Sequence, residues 1–261
     1  MKKDNILVRI KNSIYSVNDM AIYCKQGIGK AILYALVLCS IIGAVKGIIL
    51  GINVNSVFNK SIIELQKDEY EFEIKDGILD IKKSPIEIEQ NSLLFYVDDD
   101  ITLDNVEDLK SKTVNEDQYI LILKDGVSVS SIGMNYTMTY NQIIQNESIN
   151  NSYVIDMIKV TKIFTIVFAI ILNILSVFIY YLLDAVIIAL FAFINVIIFK
   201  ETINYSELFS LVIYTATLPN ILVLILSLIS PSTYFGTVAL IGTLLYTFIV
   251  QRHMRISENE S

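Results

Sequence analysis

Four long apolar blocks constrain the fold of this chain more than any other feature of its sequence. They run from Ala31 to Val54, from Ile163 to Phe199, from Leu208 to Ile229 and from Tyr234 to Val250. A helix needs roughly 20 apolar residues, and at least about 17, to cross a hydrocarbon core of about 30 Å. Hydrophobic residues make up 54% of the 261 residues, which is more than a soluble domain usually carries. The pattern predicts an α-helical integral membrane protein.

Charge is distributed unevenly on the two sides of the first block. Residues 1–30 carry six basic and two acidic side chains, a net charge of +4, whereas residues 55–158 carry eight lysines and twenty acids, a net charge of −12. Short basic segments that flank a span are retained in the cytoplasm. We therefore expect a multi-pass protein of the cell membrane, with a cytoplasmic amino terminus and an acidic segment outside. The overall charge of −7 averages these two faces, so it indicates no nucleic-acid partner.

The first block has the features of an uncleaved anchor and not those of a signal peptide. About thirty residues precede it, its apolar stretch is longer than that of a signal peptide, and no small-residue cleavage site follows it. The stretch LVLC, Leu36 to Cys39, lacks the small residue that a lipoprotein box has before its cysteine. The only other cysteine is Cys24, so the acidic segment has no disulfide and needs an ordinary apolar core.

The acidic segment has the patterns of a small α+β domain. Alternating apolar residues surround two Asp-Gly pairs, Asp76-Gly77 and Asp125-Gly126, and such pairs favour tight β-hairpins because they accept positive φ angles. A buried strand is predicted over Ser92 to Asp99. We expect a small antiparallel sheet, with residues 55–67 continuing the first span as a helix.

Three motifs suggest binding sites but do not meet the requirements of those sites. An EF-hand loop needs glycine and glutamate where the residues after Asp98-Asp99-Asp100 are Leu103 and Leu109. The stretch Gly27 to Lys30 lacks the spacing of a phosphate-binding loop. His253 is the only histidine, so histidine-based metal sites and serine–histidine triads are excluded. We predict no metal site, no cofactor and no enzyme activity.

The second block leaves two topologies open. Its 37 residues, from Ile163 to Phe199, would make a helix of roughly 55 Å, and the chain has no Gly or Pro from Asn135 to Leu218 to form a turn. One long tilted or kinked helix gives four crossings and two cytoplasmic termini. A tight turn at Asp184 gives five crossings and places the carboxy terminus outside. Arg252 and Arg255 favour four crossings, because they then lie in the cytoplasm.

The sequence therefore predicts an extracytoplasmic domain inserted between the first and second spans. Each boundary follows from a change in hydropathy or charge. The predicted segments are a cytoplasmic amphipathic leader (1–30), the first transmembrane helix (31–54), an extracytoplasmic α+β domain (55–158), a transmembrane helix bundle (159–251) and a short polar tail (252–261).

Two ionisable residues, Lys46 and Asp184, fall within the apolar blocks. A charge at that depth costs about 2.5 to 3.5 kcal/mol on insertion scales and commonly marks a partner or a pathway. The two residues could form an intramembrane ion pair. Alternatively, Lys46 could extend to the outer headgroups while Asp184 lies at an interface or a kink. With four crossings the two lie toward opposite faces of the membrane, which favours the second alternative.

Pro219 interrupts the third block, within the heptapeptide YTATLPN. Proline lacks an amide donor and leaves the Thr215 carbonyl unpaired, so we expect the span to bend there. Thr215 and Thr217 can compensate by hydrogen-bonding to the preceding turns. The bend could serve helix packing alone, or it could frame a polar pocket together with Asn220 and Asn195.

This region also resembles a bacterial family of multispan membrane proteins. INYSELFSLVIYTATLPNILVLIL, from Ile203, is similar to that family's segment Y-x-x-L-F-[KR]-hydrophobic-Y-A-x-T-L-P, and SIYSVNDMAIYCKQGIGKAILYAL, from Ser13, resembles its approach to the first span. The family is of unknown function, is often labelled maltodextrin-utilisation-protein-like and resembles the wider Yip superfamily. Val17 stands where relatives often have proline, and Lys200 lies in a loop that is more basic in relatives. The resemblance implies four crossings and no activity, cofactor or catalytic residue.

Two functions stay open at this point. The preferred one is a non-enzymatic scaffold or accessory protein, embedded in the lipid bilayer, whose acidic domain binds another membrane or envelope protein. The alternative is a transporter or intramembrane enzyme that uses polar positions within the spans. Those candidate positions are Lys46, Asp184, Asn195, Thr215, Thr217, Pro219 and Asn220.

Overall fold

The chain folds into two compact units, seen in a computed structural model that describes residues 5–90, 93–108, 118–131, 134–143, 148–231 and 233–259. Residues 53–165 form one unit, which we call the sheet unit. Residues 1–52 and 166–261 form the other, which we call the helical unit.

Helices account for most of the described residues. They are α1 (Ile6–Tyr15), α2 (Val17–Cys24), α3 (Ile28–Leu65), α4 (Tyr140–Ile143), α5 (Asn151–Phe199), α6 (Tyr205–Thr215), α7 (Thr217–Ile229) and α8 (Gly236–Asn259). Residues 106–108 are also helical. Among the described residues, three helical segments are long and apolar enough to cross a membrane: α3, α5, and α6 together with α7. The helical architecture with three candidate membrane spans is therefore confirmed, whereas the number of crossings stays a prediction.

The second apolar block forms part of one uninterrupted helix. Helix α5 has 49 residues and passes through Asp184 without a turn, so the reversal that would give five crossings is absent at that residue. The helix ends at Phe199. Lys200 follows with a left-handed φ of 53°, and Asn204 then caps α6. The Asn204 side chain accepts from the Glu207 amide at 2.9 Å, while the Glu207 carboxylate accepts from the Asn204 amide.

The fourth apolar block is also helical, as α8. From Gln251 onward this helix is polar and includes Arg252, His253 and Arg255, which lowers its mean hydropathy below that of the three candidate spans.

The leader is more tightly integrated than an amphipathic segment lying beside a bundle. Helices α1 and α2 belong to the helical unit, and Met20, Tyr23 and Cys24 are buried in its main core. Burial raises the pKa of the Cys24 thiol to about 11, with a further contribution from Glu207, so this thiol stays protonated and unreactive at neutral pH.

The sheet unit contains two sheets. Strands β1, β2 and β8 form a three-stranded antiparallel sheet, and β3 to β7 form a five-stranded sheet in sequence order. Their bounds are β1 (Phe72–Lys75), β2 (Ile78–Ile81), β3 (Ile86–Gln90), β4 (Leu93–Asp98), β5 (Gln118–Leu123), β6 (Gly126–Ser131), β7 (Met134–Thr139) and β8 (Ile149–Asn150). The α+β prediction is confirmed, as are the predicted buried strand, now β4, and the helical continuation of α3 to Leu65.

The predicted small antiparallel sheet is present as β2, β1 and β8, but the five-stranded sheet contains one parallel pair. Strands β4 and β5 run parallel, with Leu94 opposite Tyr119 and Val97 opposite Ile122. A parallel pair needs a crossover between its strands, and residues 99–117 provide the length for one. Both faces of these central strands are covered, which fits their nearly continuous apolar sequence.

The two predicted hairpins form, but they use different turns. Asp76 and Gly77 have φ angles of 52° and 78° in the β1–β2 turn, as the Asp-Gly pair predicts. In the β5–β6 hairpin, Leu123 pairs with Gly126, so the two loop residues are Lys124 and Asp125. Gly126 is needed there for space: a Cβ at this position would overlap the Met138 carbonyl oxygen of β7.

Candidate functional site

Four of the seven candidate positions predicted from the sequence, Thr215, Thr217, Pro219 and Asn220, lie at the break between α6 and α7. Helix α6 ends at Thr215 and α7 begins at Thr217, so Pro219 lies in the first turn of α7, where a missing amide costs little. The Asn220 amide resumes the ladder by donating to the Ala216 carbonyl at 3.1 Å. The predicted interruption therefore takes the form of a local break just before the proline.

Buried hydroxyl groups occupy this break. Thr215 donates to the Val212 carbonyl at 3.1 Å, as predicted, and its oxygen also lies 2.7 Å from the hydroxyl oxygen of Thr247 on α8. Thr217 bonds instead to Tyr34 of α3, with 2.6 Å between the two hydroxyl oxygens. We call Tyr34, Tyr181, Thr215, Thr217 and Thr247 the hydroxyl cluster.

The hydroxyl cluster ties together helices that are distant in sequence. Tyr181 of α5 donates to the Ile213 carbonyl of α6 at 2.5 Å, so α3, α5, α6, α7 and α8 all contribute. All five side chains are buried, and α6 is buried without interruption from Leu208 to Thr215. Because an unpaired polar group in such surroundings is costly, these hydroxyls make hydrogen bonds to one another or to backbone carbonyls.

Three tyrosine rings and the Arg9 side chain pack together next to the hydroxyl cluster. The Tyr214 ring lies with its centroid 4.7 Å from that of Tyr34 and 5.4 Å from that of Tyr23. The Arg9 guanidinium lies 4.8 Å from the Tyr23 ring centroid and donates to the Tyr214 hydroxyl at 3.4 Å and to the Gln26 side chain at 2.7 Å. This arrangement anchors α1 and α2 to the bundle through a partly desolvated cation.

Sequence reasoning missed a glycine seam on α3, formed by Gly43, Gly47 and Gly51. A Cβ at Gly43 would lie 2.5 Å from the Ile174 Cα atom of α5, and one at Gly47 would lie 2.8 Å from the Ile170 Cα atom. The two backbones therefore touch along an antiparallel register. The spacing of four residues between small side chains is a known signal for close helix packing in membranes, so the sequence contained the information.

The structure does not bring Lys46 and Asp184 together. With the antiparallel register of the glycine seam, Asp184 lies level with Leu33 on α3, thirteen residues from Lys46, which is about 20 Å at 1.5 Å per residue. Both side chains are half-buried. The hypothesis of an intramembrane ion pair is therefore wrong in this structure.

Asn195 and Asn220 do not meet to frame the predicted polar pocket at the bend. The Asn220 side chain donates to the Ala216 carbonyl of its own helix at 2.9 Å, whereas Asn195 lies half-buried near the end of α5. Within the described residues, no hydrogen bond joins Asn195 to Asn220. Pro219 packs against α8, where a Cβ at Gly242 would lie 3.3 Å from the proline Cβ.

The acidic residues Asp98, Asp99 and Asp100 of the sheet unit take part in hydrogen bonds within the chain. Asp98 accepts from the Tyr96 hydroxyl at 2.8 Å and from the Asp100 amide at 2.9 Å, and Asp99 accepts from the Ile81 amide at 3.3 Å. Burial and the Asp98 carboxylate raise the pKa of Tyr96 to about 12. One oxygen from each of the three carboxylates lies within 4.8 Å of the others, but these hydrogen bonds explain the acids as loop-forming groups.

The sheet unit also presents an exposed strand edge. In the described residues β7 ends the five-stranded sheet, and its side chains are exposed from Met134 to Met138. Met134, Tyr136 and Met138 alternate along the strand, so they share one face. We call these three residues the β7 edge. An exposed apolar row on an edge strand, which pairs on one side only, is a common site of strand addition by another protein.

A groove of about 650 Å³ lies elsewhere on the sheet unit. Asn151, at the start of α5, closes one side of it by donating to the carbonyls of Leu65 and Tyr70, both at 2.8 Å, and accepting from the Phe72 amide. The groove is lined by Glu71, Phe72, Glu73, Asp80, Lys82, Asn150, Asn151 and Ser152. Its charged lining is mainly acidic.

Comparison with known proteins identifies the family. A family model described as protein of unknown function (DUF1189) matches residues 7–250. No curated protein and no solved structure matches the chain. The match covers nearly the whole chain, so the protein belongs to this family, and the predicted resemblance to a family of unknown function is confirmed.

Proposed function

We propose that this member of a family of unknown function is a non-enzymatic membrane scaffold or accessory protein whose acidic sheet unit binds a partner outside the cytoplasm. In this proposal α3, α5, the α6–α7 pair and α8 cross the membrane, and both termini are cytoplasmic. The maltodextrin-related label and the resemblance to the Yip superfamily stay predictions and add no activity.

The β7 edge carries the proposal. A strand edge with three exposed apolar side chains exposes backbone amide and carbonyl groups together with a surface on which a partner's side chains can pack. Methionine adapts its shape to different partners because its side chain is unbranched and flexible. The edge therefore suits an extended segment that adds to the sheet as a further strand.

Charge indicates what kind of segment this is. Residues 55–158 carry a net charge of −12, and acidic side chains line the groove as well. Long-range attraction favours a partner of opposite charge and discriminates against acidic ones. We propose a basic, extended segment of another membrane or envelope protein.

The separation of Lys46 and Asp184 weighs against the transporter or intramembrane-enzyme alternative. That alternative relies on charged groups that converge on a path, whereas these two lie about 20 Å apart along the helices. The hydroxyls of the cluster are engaged in hydrogen bonds within the bundle. Those bonds support a role in packing.

Site-specific photo-crosslinking tests the proposal in the full chain and its own membrane. A photoreactive phenylalanine analogue at Tyr136 should give one discrete adduct heavier than the 29.5 kDa chain. The same analogue at Tyr153, an exposed tyrosine of the same unit that lies on α5, should give none. Met138→Lys should abolish the Tyr136 adduct, because it interrupts the apolar row and places a positive charge that repels a basic partner from the edge.

Raising the salt concentration before irradiation should reduce the adduct, since the attraction to a basic partner is screened. Equal adducts at Tyr136 and Tyr153, or none at Tyr136, would contradict binding at this edge. An adduct of twice the chain mass would replace the basic partner with a second copy of the protein.

A further inference from the structure

Helix α1 exposes a face that is suited to lipid and not to water. Leu7, Val8 and Tyr15 are 64%, 43% and 61% exposed, and Lys11 is exposed among them. These four residues are spaced by one, three or four positions, so they lie on one side of the helix. A helix on the surface of a soluble protein exposes polar residues instead.

The opposite face of α1 is unusually polar for a buried surface. Ser13 is buried, Asn12 donates to the Tyr23 hydroxyl at 3.0 Å, and Arg9 contacts both Tyr23 and Tyr214. The Ile14 carbonyl accepts from the Tyr246 hydroxyl of α8 at 3.2 Å. Ile6 and Ile10 also pack against the core of the helical unit. The bundle thus covers one side of α1 through polar and apolar contacts and leaves Leu7, Val8 and Tyr15 outward.

We propose that α1 lies in the plane of the membrane, with Leu7, Val8 and Tyr15 in the acyl-chain boundary and Lys11 on anionic phospholipid headgroups. An interfacial helix of this kind buries its apolar face by about 5 to 10 Å and gains affinity from basic residues near anionic lipids. Helix α3 also exposes Ile32 and Leu33 close to its start, so an apolar surface adjoins the same end of the first span.

Charge complementarity selects the lipid. Residues 1–30 have a net charge of +4, and Lys11 and Lys30 are exposed in the structure. Anionic headgroups give the cytoplasmic leaflet a negative surface potential, and this potential attracts basic segments within a Debye length. The proposal depends on the membrane location of the helices and is independent of partner binding at the β7 edge.

The test uses the fact that the chain contains no tryptophan. Leu7→Trp places a single emitter on the outward face of α1 in the full chain, reconstituted in phosphatidylcholine vesicles with a minor share of acyl-brominated phosphatidylglycerol. Quenching should exceed the value for random lipid mixing. Lys11→Gln in the Leu7→Trp background should lower the local enrichment of anionic lipid, calculated from the excess quenching, about five-fold.

Two further variants serve as controls. Ile171→Trp, on the exposed side of the middle of α5, should be quenched only at the level of random mixing. Val8→Trp reports from the same face as position 7 and should behave like it, which guards against a local folding defect at one position.

Three results would overturn the proposal. Quenching of the Leu7→Trp emission by aqueous iodide in place of brominated lipid would place the face in water. Equal quenching by brominated phosphatidylcholine and phosphatidylglycerol, unaffected by Lys11→Gln, would remove the headgroup contact. The Leu7→Trp emission could also be protected from both iodide and brominated lipid, and lose that protection when the protein is diluted with more lipid. That result would mean that a second copy of the chain covers this face.

Discussion

The two units of this protein distribute polar groups in opposite ways. The helical unit buries hydroxyls such as those of Thr215, Thr217 and Thr247, and it exposes large apolar side chains such as Phe168 and Ile197. The sheet unit has an apolar core of residues such as Leu94, Leu121 and Leu123, and most of its described acidic side chains are exposed on its surface. Each unit buries the groups that its surroundings solvate poorly, which are hydroxyls in the helical unit and apolar side chains in the sheet unit.

This difference implies that different forces hold the two units together. Water drives the apolar side chains of the sheet unit into its core at about 25 cal/mol per Å². Lipid gives no such driving force, so the helical unit depends on close backbone packing and on interhelical hydrogen bonds. Matched substitutions in the two units should therefore have unlike effects.

The largest effect is expected from a cavity in the sheet unit. Leu121→Ala removes a fully buried side chain and should lower the free energy of unfolding of that unit by about 3 kcal/mol. Chemical denaturation followed by near-ultraviolet circular dichroism measures it. Ile171→Ala, at an exposed apolar position on α5, should change stability by well under about 1 kcal/mol; comparable losses would mean that this position is not surrounded by lipid.

Filling the glycine seam should have the next largest effect. Gly43→Leu puts side-chain atoms where the Ile174 backbone already lies and should destabilise the helical unit by about 1 to 3 kcal/mol. The measurement is the midpoint of thermal unfolding in detergent micelles. Gly29→Leu makes the same change in the same helix, where an added Cβ would meet no packed neighbour within 4 Å. If both variants melt alike, α3 and α5 are not in backbone contact.

A smaller effect is expected within the hydroxyl cluster. Tyr34→Phe keeps the ring that packs on Tyr214 but removes the hydrogen bond to Thr217. The loss should be about 0.6 kcal/mol, the average for such bonds between membrane helices, measured in the same micelles. Tyr15→Phe, at an exposed tyrosine of α1, is the matched control and should have no effect on the melting midpoint.

The smallest effect is a dependence on pH in the sheet unit. Partial burial raises the pKa of Asp99, but hydrogen bonds from the Ser84 hydroxyl and the Ile81 amide outweigh burial and hold it below its ordinary value of 3.8. The ionised carboxylate therefore stabilises the folded unit above pH 3.8, and this contribution is lost as the pH falls through the lowered pKa.

Denaturation curves between about pH 6 and about pH 3 check this expectation. Asp99→Asn should flatten the decline in stability toward low pH, whereas Asp80→Asn, at an exposed residue of β2, should leave the decline unchanged. An identical acid response in both variants would show that Asp99 has no special role.

The sequence predicted the features that depend on short stretches of residues. The Asp76-Gly77 hairpin requires only positive φ angles at two adjacent residues, and the apolar blocks need only sufficient length. The parallel pairing of β4 with β5 joins strands that are about twenty residues apart in sequence, and local patterns do not specify it. The hydroxyl cluster likewise depends on which helices become neighbours.

Two other features were accessible in principle. The spacing of Gly43, Gly47 and Gly51 indicates close packing by itself. The sequence predicts an amphipathic leader over residues 1–30, but it does not show which face of α1 turns toward the bundle. Only the contacts of Arg9 and Asn12 with Tyr23 settle that orientation.

Cysteine accessibility tests most directly whether the helices cross the membrane and hold the sheet unit outside. The native Cys24 and Cys39 are fully buried, so they give little background with a membrane-impermeant maleimide. On intact cells the reagent should label Asp104→Cys of the sheet unit, and it should label Lys200→Cys and Ser257→Cys only after permeabilisation. Labelling of Ser257→Cys on intact cells, or no labelling of Asp104→Cys, would contradict four crossings with an external sheet unit.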